Sequence, residues 1–234
     1  MIRQIVYCCT GILLLAACSG NEKNKQEEKK PILVDSTASV TGIDSALSEE
    51  EVFLSNQMDF SNYLKSQKPD FDWKNFQLSE NWHQDLLVED SAYHPDKKFY
   101  EAYGRFLKYS PDGSFFIDLD SYNIDITKNK DGAWVGQELG PDTEVSLVDT
   151  KNNKKMRLIF LGPGGSIEDA RWVDNNTILL FGVYTDEPNL RVPAIWKISL
   201  PDKEVYLYKN DDPSLISKLN GYTWKVRLKG ISMR

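Results

Sequence analysis

Beyond residue 18 the chain has no cysteine; the three it carries are Cys8, Cys9 and Cys18. A fold built from the later residues therefore has no disulfide and rests on its hydrophobic core, even in an oxidising compartment. Histidine is scarce too. His83 and His94 stand 11 residues apart, short of the roughly three protein ligands that a catalytic zinc requires. There is no Gly-x-Ser-x-Gly elbow and no phosphate loop. Gly162-Pro163-Gly164-Gly165 has no lysine and reads as a turn. No apolar run approaches the about 20 residues that span a bilayer as a helix. Basic residues are the minority, 28 against 35 acidic, so phosphate backbones and anionic headgroups gain little from this chain. Nucleic acid is not an expected partner.

What is present begins at the N-terminus. Arg3 is the only charge in residues 1–17. Ile5, Val6 and Ile12 to Ala17 form a short apolar run, and small residues precede Cys18. This is the layout of a secretory signal. Leu15-Ala16-Ala17-Cys18 resembles the bacterial lipobox. The resemblance implies cleavage before Cys18, a diacylglycerol thioether on its sulfur, and a lipid-anchored envelope protein. Ser19, rather than an aspartate, follows the cysteine. By the sorting rule of some Gram-negative lipoproteins this resembles cargo for the outer membrane. Without residues 1–17 the chain has 217 residues and a net charge of −8.

Residues 18–48 read as a flexible, unstructured tether. Ser19 to Lys30 is almost wholly polar, and Pro31 to Ser48 is rich in Ser, Thr and Asp. About 30 such residues have an end-to-end distance near 30 Å. Asp35-Ser36-Thr37, Asp44-Ser45-Ala46 and Asp90-Ser91-Ala92 resemble the Asp-Ser/Thr-small acceptor of some bacterial O-glycosylation systems. Asp-Ser pairs are also ordinary turn chemistry.

Residues 49–234 read as a single, mainly β domain with antiparallel sheets. Ser48 and Glu51 have capping-box spacing. Phe53, Phe60 and Leu64 recur after them, so one amphipathic helix is expected over 49–67, stopped by Pro69. Then come strand-like runs: Leu86–Val88, Phe99–Tyr109, Ser114–Tyr122, Val145–Asp149, Met156–Leu161, Ile167–Val173, Thr177–Tyr184, Ala194–Leu200 and Glu204–Lys209. Residues 127–142 read as a long polar loop. Asp212-Pro213 opens a short C-terminal helix. Tyr222 to Ile231 alternates apolar and polar and reads as a last strand.

A faint repeat runs through these strands. Phe106 to Ile117, containing Ser110-Pro111-Asp112-Gly113, aligns with Asp169 to Leu180, and a further strand pair follows each. The units, about 99–161 and 167–209, resemble the four-stranded blades of TolB-like and dipeptidyl-peptidase-like β-propellers. Two blades do not close a ring of at least four.

Few residues point to chemistry. Asp118 and Asp120, with Asp125 after them, read as a solvated strand face. Alternate carboxylates are also a Ca²⁺ donor pattern, but the glycine and terminal glutamate of an EF-hand loop are missing. Trp172, Trp196 and Trp224 lie in strand patterns and read as core. Trp82 and Trp134 read as exposed and as possible ligand contacts, able to stack on a sugar or a partner protein. No acid/base pair, metal set or cofactor motif stands out. The expectation is a non-enzymatic envelope lipoprotein, lipidated at Cys18, whose β-rich domain binds or scaffolds another envelope protein. The alternatives are a cell-surface glycan-binding lipoprotein and, less favoured, a hydrolase.

Overall fold

The computed structural model describes residues 45–187, 190–219 and 221–234. The lipobox Leu15 to Cys18, the signal, the tether up to residue 44 and Ser36 lie outside the described residues. The last residues of the expected tether lie inside and are docked. Ala46 forms a bridge with Gln77, the Leu78 N–H donates to the Ser45 carbonyl at 2.8 Å, and Leu47 is buried.

Residues 49–67 form two helices, where the sequence predicts one. The first, α1 (Glu49–Asn56), starts on the expected capping box: Ser48 Oγ accepts from the Glu51 N–H at 3.2 Å, and Glu51 Oε2 accepts from the Ser48 N–H at 2.8 Å. Backbone at Met58 then turns extended, and α2 (Asp59–Gln67) begins. The break sends the Met58 side chain into the core with Phe60 and Leu64 and leaves Phe53 exposed. No glycine or proline marks it; tertiary packing makes it.

The fold is mainly β, with three sheets among the described residues. The first joins β1 (Gln77–His83), β9 (Ser166–Trp172), β10 (Thr177–Glu187), β11 (Leu190–Ser199) and β12 (Glu204–Lys209) in the order β1-β12-β11-β10-β9. The second joins β2 (Leu87–Asp90), β3 (Lys108–Tyr109), β4 (Phe115–Asp118), β7 (Thr143–Asp149) and β8 (Lys154–Leu161) in the order β2-β8-β7-β4-β3. Every pairing in both is antiparallel. The third holds β5 (Ile124–Lys128), β6 (Trp134–Glu138) and β13 (Ser232–Met233), with β13 parallel to β6.

The two units aligned in sequence each contain a four-stranded meander, β9-β10-β11-β12 without interruption and β3-β4-β7-β8 with β5 and β6 inserted between β4 and β7. Each meander gains a fifth strand from residues 77–90, beside its last strand. Their first turns touch, the Asp112 N–H donating to Asn175 Oδ1 at 3.0 Å. No propeller is identified, and two sheets leave a ring open.

Core residues explain the layering. Ile178 and Leu180 of β10 share one cluster with Leu147 and Leu158 of the second sheet, so the two large sheets pack on each other. The alternate residues, Leu179, Phe181 and Val183, share another cluster with Phe60, Leu64, Trp73 and Tyr222. Helices α1, α2 and α4 (Ser214–Leu219) cover that face. Apolar on both sides, β10 reads as an almost continuous hydrophobic run. Full burial of each such side chain is worth about 1.5–3 kcal/mol.

Three expectations are corrected here. Phe99–Tyr109 is not one strand. Asp96 accepts the Phe99 N–H at 2.8 Å and caps α3 (Lys97–Tyr103), leaving only β3 as strand. Residues 127–142 are not a loop throughout but hold the β5–β6 hairpin turn and β6, with Gly132 at φ +83°. Tyr222–Ile231 is not a strand but contains a π-helical turn, Thr223–Arg227, in which the Leu228 N–H bonds the Thr223 carbonyl at 2.7 Å. Strand alternation would place Tyr222, Trp224, Val226 and Leu228 on one face. Instead Tyr222 and Val226 pack in the helix-covered core, while Trp224 and Leu228 pack with α3 and the β5–β6 hairpin.

Candidate functional site

The site is built around β9, at the edge of the first sheet. A β-bulge interrupts its pairing with β10: Asp169 faces Phe181, but Ile167 faces Gly182, so Glu168 is the extra residue. The bulge turns Asp169 and Glu168 out of simple alternation. It also requires glycine at 182, where an added Cβ would lie 1.9 Å from the Ser166 carbonyl oxygen.

Asp169 is 2 % exposed and carries three partners, the first being the Ala170 N–H, which donates to Oδ1 at 2.8 Å. Lys108 Nζ from β3 lies 2.8 Å from Oδ1, and the Tyr222 hydroxyl donates to Oδ2 at 2.8 Å. Burial first, then the Asp169 carboxylate, raises the Tyr222 phenol far above its ordinary value. It therefore stays a hydrogen-bond donor across the physiological range. Glu168 accepts from Thr223 Oγ1 at 2.6 Å and from Ser166 Oγ at 3.1 Å.

A second buried pair lies beside these groups. Arg227 Nη1 reaches both oxygens of Asp120 at 2.6 Å, and Nη2 donates to Thr223 Oγ1 at 3.2 Å. Burial raises the Asp120 carboxyl, and Arg227 pulls it back. Burial opposes the Arg227 charge, but Asp120, Asp169 and Glu168 outweigh it and raise the group. The Arg227 Nε–H is buried without an acceptor among the described residues. Removing either partner of such a pair costs about 3–5 kcal/mol, because the other charge is left buried alone.

Two openings flank this network. One, about 510 Å³, lies where β3, β9 and the α1–α2 junction meet, and Asp169 and Tyr222 form part of its wall. Leu107, Met58, Trp172 and the half-exposed Tyr109 give it apolar surface; Lys108, Arg171 and Asp59 give it charge. Arg171 and Asp59 have no ion-pair partner among the described residues. The other, about 290 Å³, lies beyond Glu168, between the π-turn and the segment leading into β7. The C-terminal segment separates the two.

The residues singled out in the sequence lie elsewhere or serve other ends. Trp82 is on β1, half-buried against the inter-sheet core, with its indole N–H donating to Gln84 Oε1 at 3.0 Å. Trp134 is on β6, half-buried, with Lys128 Nζ 4.7 Å from its ring centroid. Neither lines either opening. Trp172 and Trp196 are buried, whereas Trp224, expected in a core strand, sits partly exposed on the π-turn.

Asp118 and Asp120 are buried, not a solvated face. Asp118 accepts the N–H groups of Asp120 and Ser121 and the Ser121 hydroxyl; Asp120 holds Arg227. A calcium ion there would have to displace that arginine. His83 lies 3.4 Å from Glu204, and His94 is exposed. No cluster of three His, Cys, Asp or Glu placed to hold a metal occurs among the described residues. Gly162 to Gly165 is a turn, closed by a Gly165 N–H to Gly162 carbonyl bond at 3.2 Å. Ser45 and Ser91 are both exposed.

Lys108, Asp169, Tyr222 and Arg227 were not visible as a set in the sequence. Their one signal is Asp169, a carboxylate in an otherwise well-buried strand. Comparison with known proteins adds no family: no protein-family model, no curated protein and no solved structure matches this chain.

Proposed function

We propose that this chain is a lipid-anchored envelope protein, held through Cys18 at the outer membrane, that works by binding or scaffolding another envelope protein rather than by catalysis. The larger opening carries the proposal. It combines unspent charges, Arg171 and Asp59, with the exposed aromatic ring of Tyr109 at a sheet edge. Mixed apolar and charged lining of this kind suits a protein segment, which offers both kinds of group. The Lys108–Asp169–Tyr222 contacts fix the wall without offering a reactive group. The lipobox and the polar residues after it supply the attachment and reach.

A photoreactive phenylalanine in place of Tyr109, activated in the native cell, tests this. One stoichiometric envelope protein should be captured, and Arg171→Glu should reduce its capture at least fivefold. Absence of any captured protein, or capture indifferent to Arg171→Glu, refutes the proposal.

A further inference from the structure

The smaller opening has a different chemistry, independent of the larger one. Its lining brings together one indole, Trp224, three carboxylates, Glu138, Asp142 and Glu168, and the hydroxyls of Thr143 and Ser166. The indole is fixed. Its N–H donates to Glu138 Oε1 at 2.9 Å, and its ring lies against the backbone of β6 at Gly136, where an added Cβ would come within 2.8 Å of Cη2. Gly140, Gly165 and Gly221 leave other parts of the wall without side chains.

Charge decides what such a lining accepts. Arg227 is the cation of the wall, but Asp120 already neutralises it at 2.6 Å. The three remaining carboxylates make the opening acidic, which repels phosphate, uronate and carboxylate ligands. The lining is rich in hydrogen-bond acceptors. Asp142 has no hydrogen-bond partner among the described residues, and Glu168, with two donors, keeps lone pairs to spare. Arg227, a residue of the same wall with a side chain 5 % exposed, carries a buried Nε–H that has no acceptor among the described residues. A hydroxyl both accepts from such a donor and donates to such carboxylates. A ligand with several hydroxyls and an apolar face to set on an indole is a sugar ring. A volume of about 290 Å³ is at the small end of ligand pockets, which start near 300 Å³, and suits a single ring. Its rim, at Glu138, Gly140 and Pro141, is exposed, so a longer glycan continues into solvent.

We infer that this opening is a subsite for one neutral sugar ring, seated on Trp224 with its hydroxyls on Glu168 and Asp142. Saturation-transfer NMR on the full chain in detergent tests it, with methyl glucoside, methyl galactoside and N-acetylglucosamine as neutral probes and glucuronate as the anionic one. Transfer to at least one neutral probe is expected, with glucuronate silent. Glu168→Gln, which keeps shape and removes charge, should cut that signal at least fivefold, and Trp224→Ala should abolish it while the melting curve stays cooperative. Arg171→Ala, in the other opening, should leave it unchanged. No transfer from any neutral probe, transfer indifferent to Glu168→Gln, or stronger transfer from glucuronate overturns the inference.

Discussion

Asp112 illustrates how local chemistry sets a single residue's behaviour. It sits in the Ser110-Pro111-Asp112-Gly113 turn and accepts from Ser110 Oγ at 2.8 Å, from the Ser114 N–H at 3.0 Å and from the Ser114 hydroxyl. These bonds, the Ser114 hydroxyl foremost, hold its carboxyl down at about 2 against an ordinary 3.8. The folded value is depressed, so the stabilisation is fully present above pH ~4 and is lost as pH falls toward about 2. NMR titration of the Asp112 carboxyl should give a midpoint near 2, moving up toward 3.8 in Ser114→Ala; a wild-type midpoint at 3.8 contradicts the geometry. The turn itself was legible, because Ser, Pro, Asp and Gly each have a turn role. Asp118 and Asp120, six and eight residues on, were not. Alternation placed them outside, whereas Arg227, more than a hundred residues later, and the turn after β4 take them in. A carboxylate's partner at that separation leaves no local trace.

Among elements, those fixed by local pattern were readable and those fixed by long-range packing were not. The strands from β7 to β12 lie close to their expected positions, since runs such as Thr177 to Tyr184 are apolar on both faces and bounded by Asn, Asp and Pro turns. The short helix after Asp212-Pro213 is also where its cap places it; Asp212 accepts the Ser214 N–H at 2.9 Å. The break between α1 and α2, the strand β1 and the π-turn escaped, because each answers to a surface supplied from elsewhere in the chain. The same holds for the bulge in β9, whose one sequence mark is Gly182. Gly182→Ala drives a Cβ into the Ser166 carbonyl, an obstacle of backbone that cannot swing away. It should cost about 3 kcal/mol or more, or roughly 6–12 °C in melting temperature. Gly140→Ala, with open space around it, serves as the control and should stay within about 0.5 kcal/mol. Equal melting temperatures for the two variants would show that the bulge does not need its glycine.

At the scale of the whole molecule, a mainly β domain with two facing sheets is joined to an N-terminal sequence whose character is entirely different. No helix among the described residues is long and apolar enough to cross a membrane. Attachment, on the proposal made above, falls to Cys18. One acyl chain binds only marginally, while two or more hold a protein stably. The net charge of −8 without residues 1–17 adds no attraction to anionic lipid, so on that proposal a covalent lipid would have to carry the attachment. Metabolic labelling with an alkyne analogue of palmitate therefore tests the proposal most directly. The wild-type chain should take up the label and Cys18→Ala should lose it completely, with the protein released from the membrane fraction. An unlabelled wild type, or label that persists in Cys18→Ala, contradicts it.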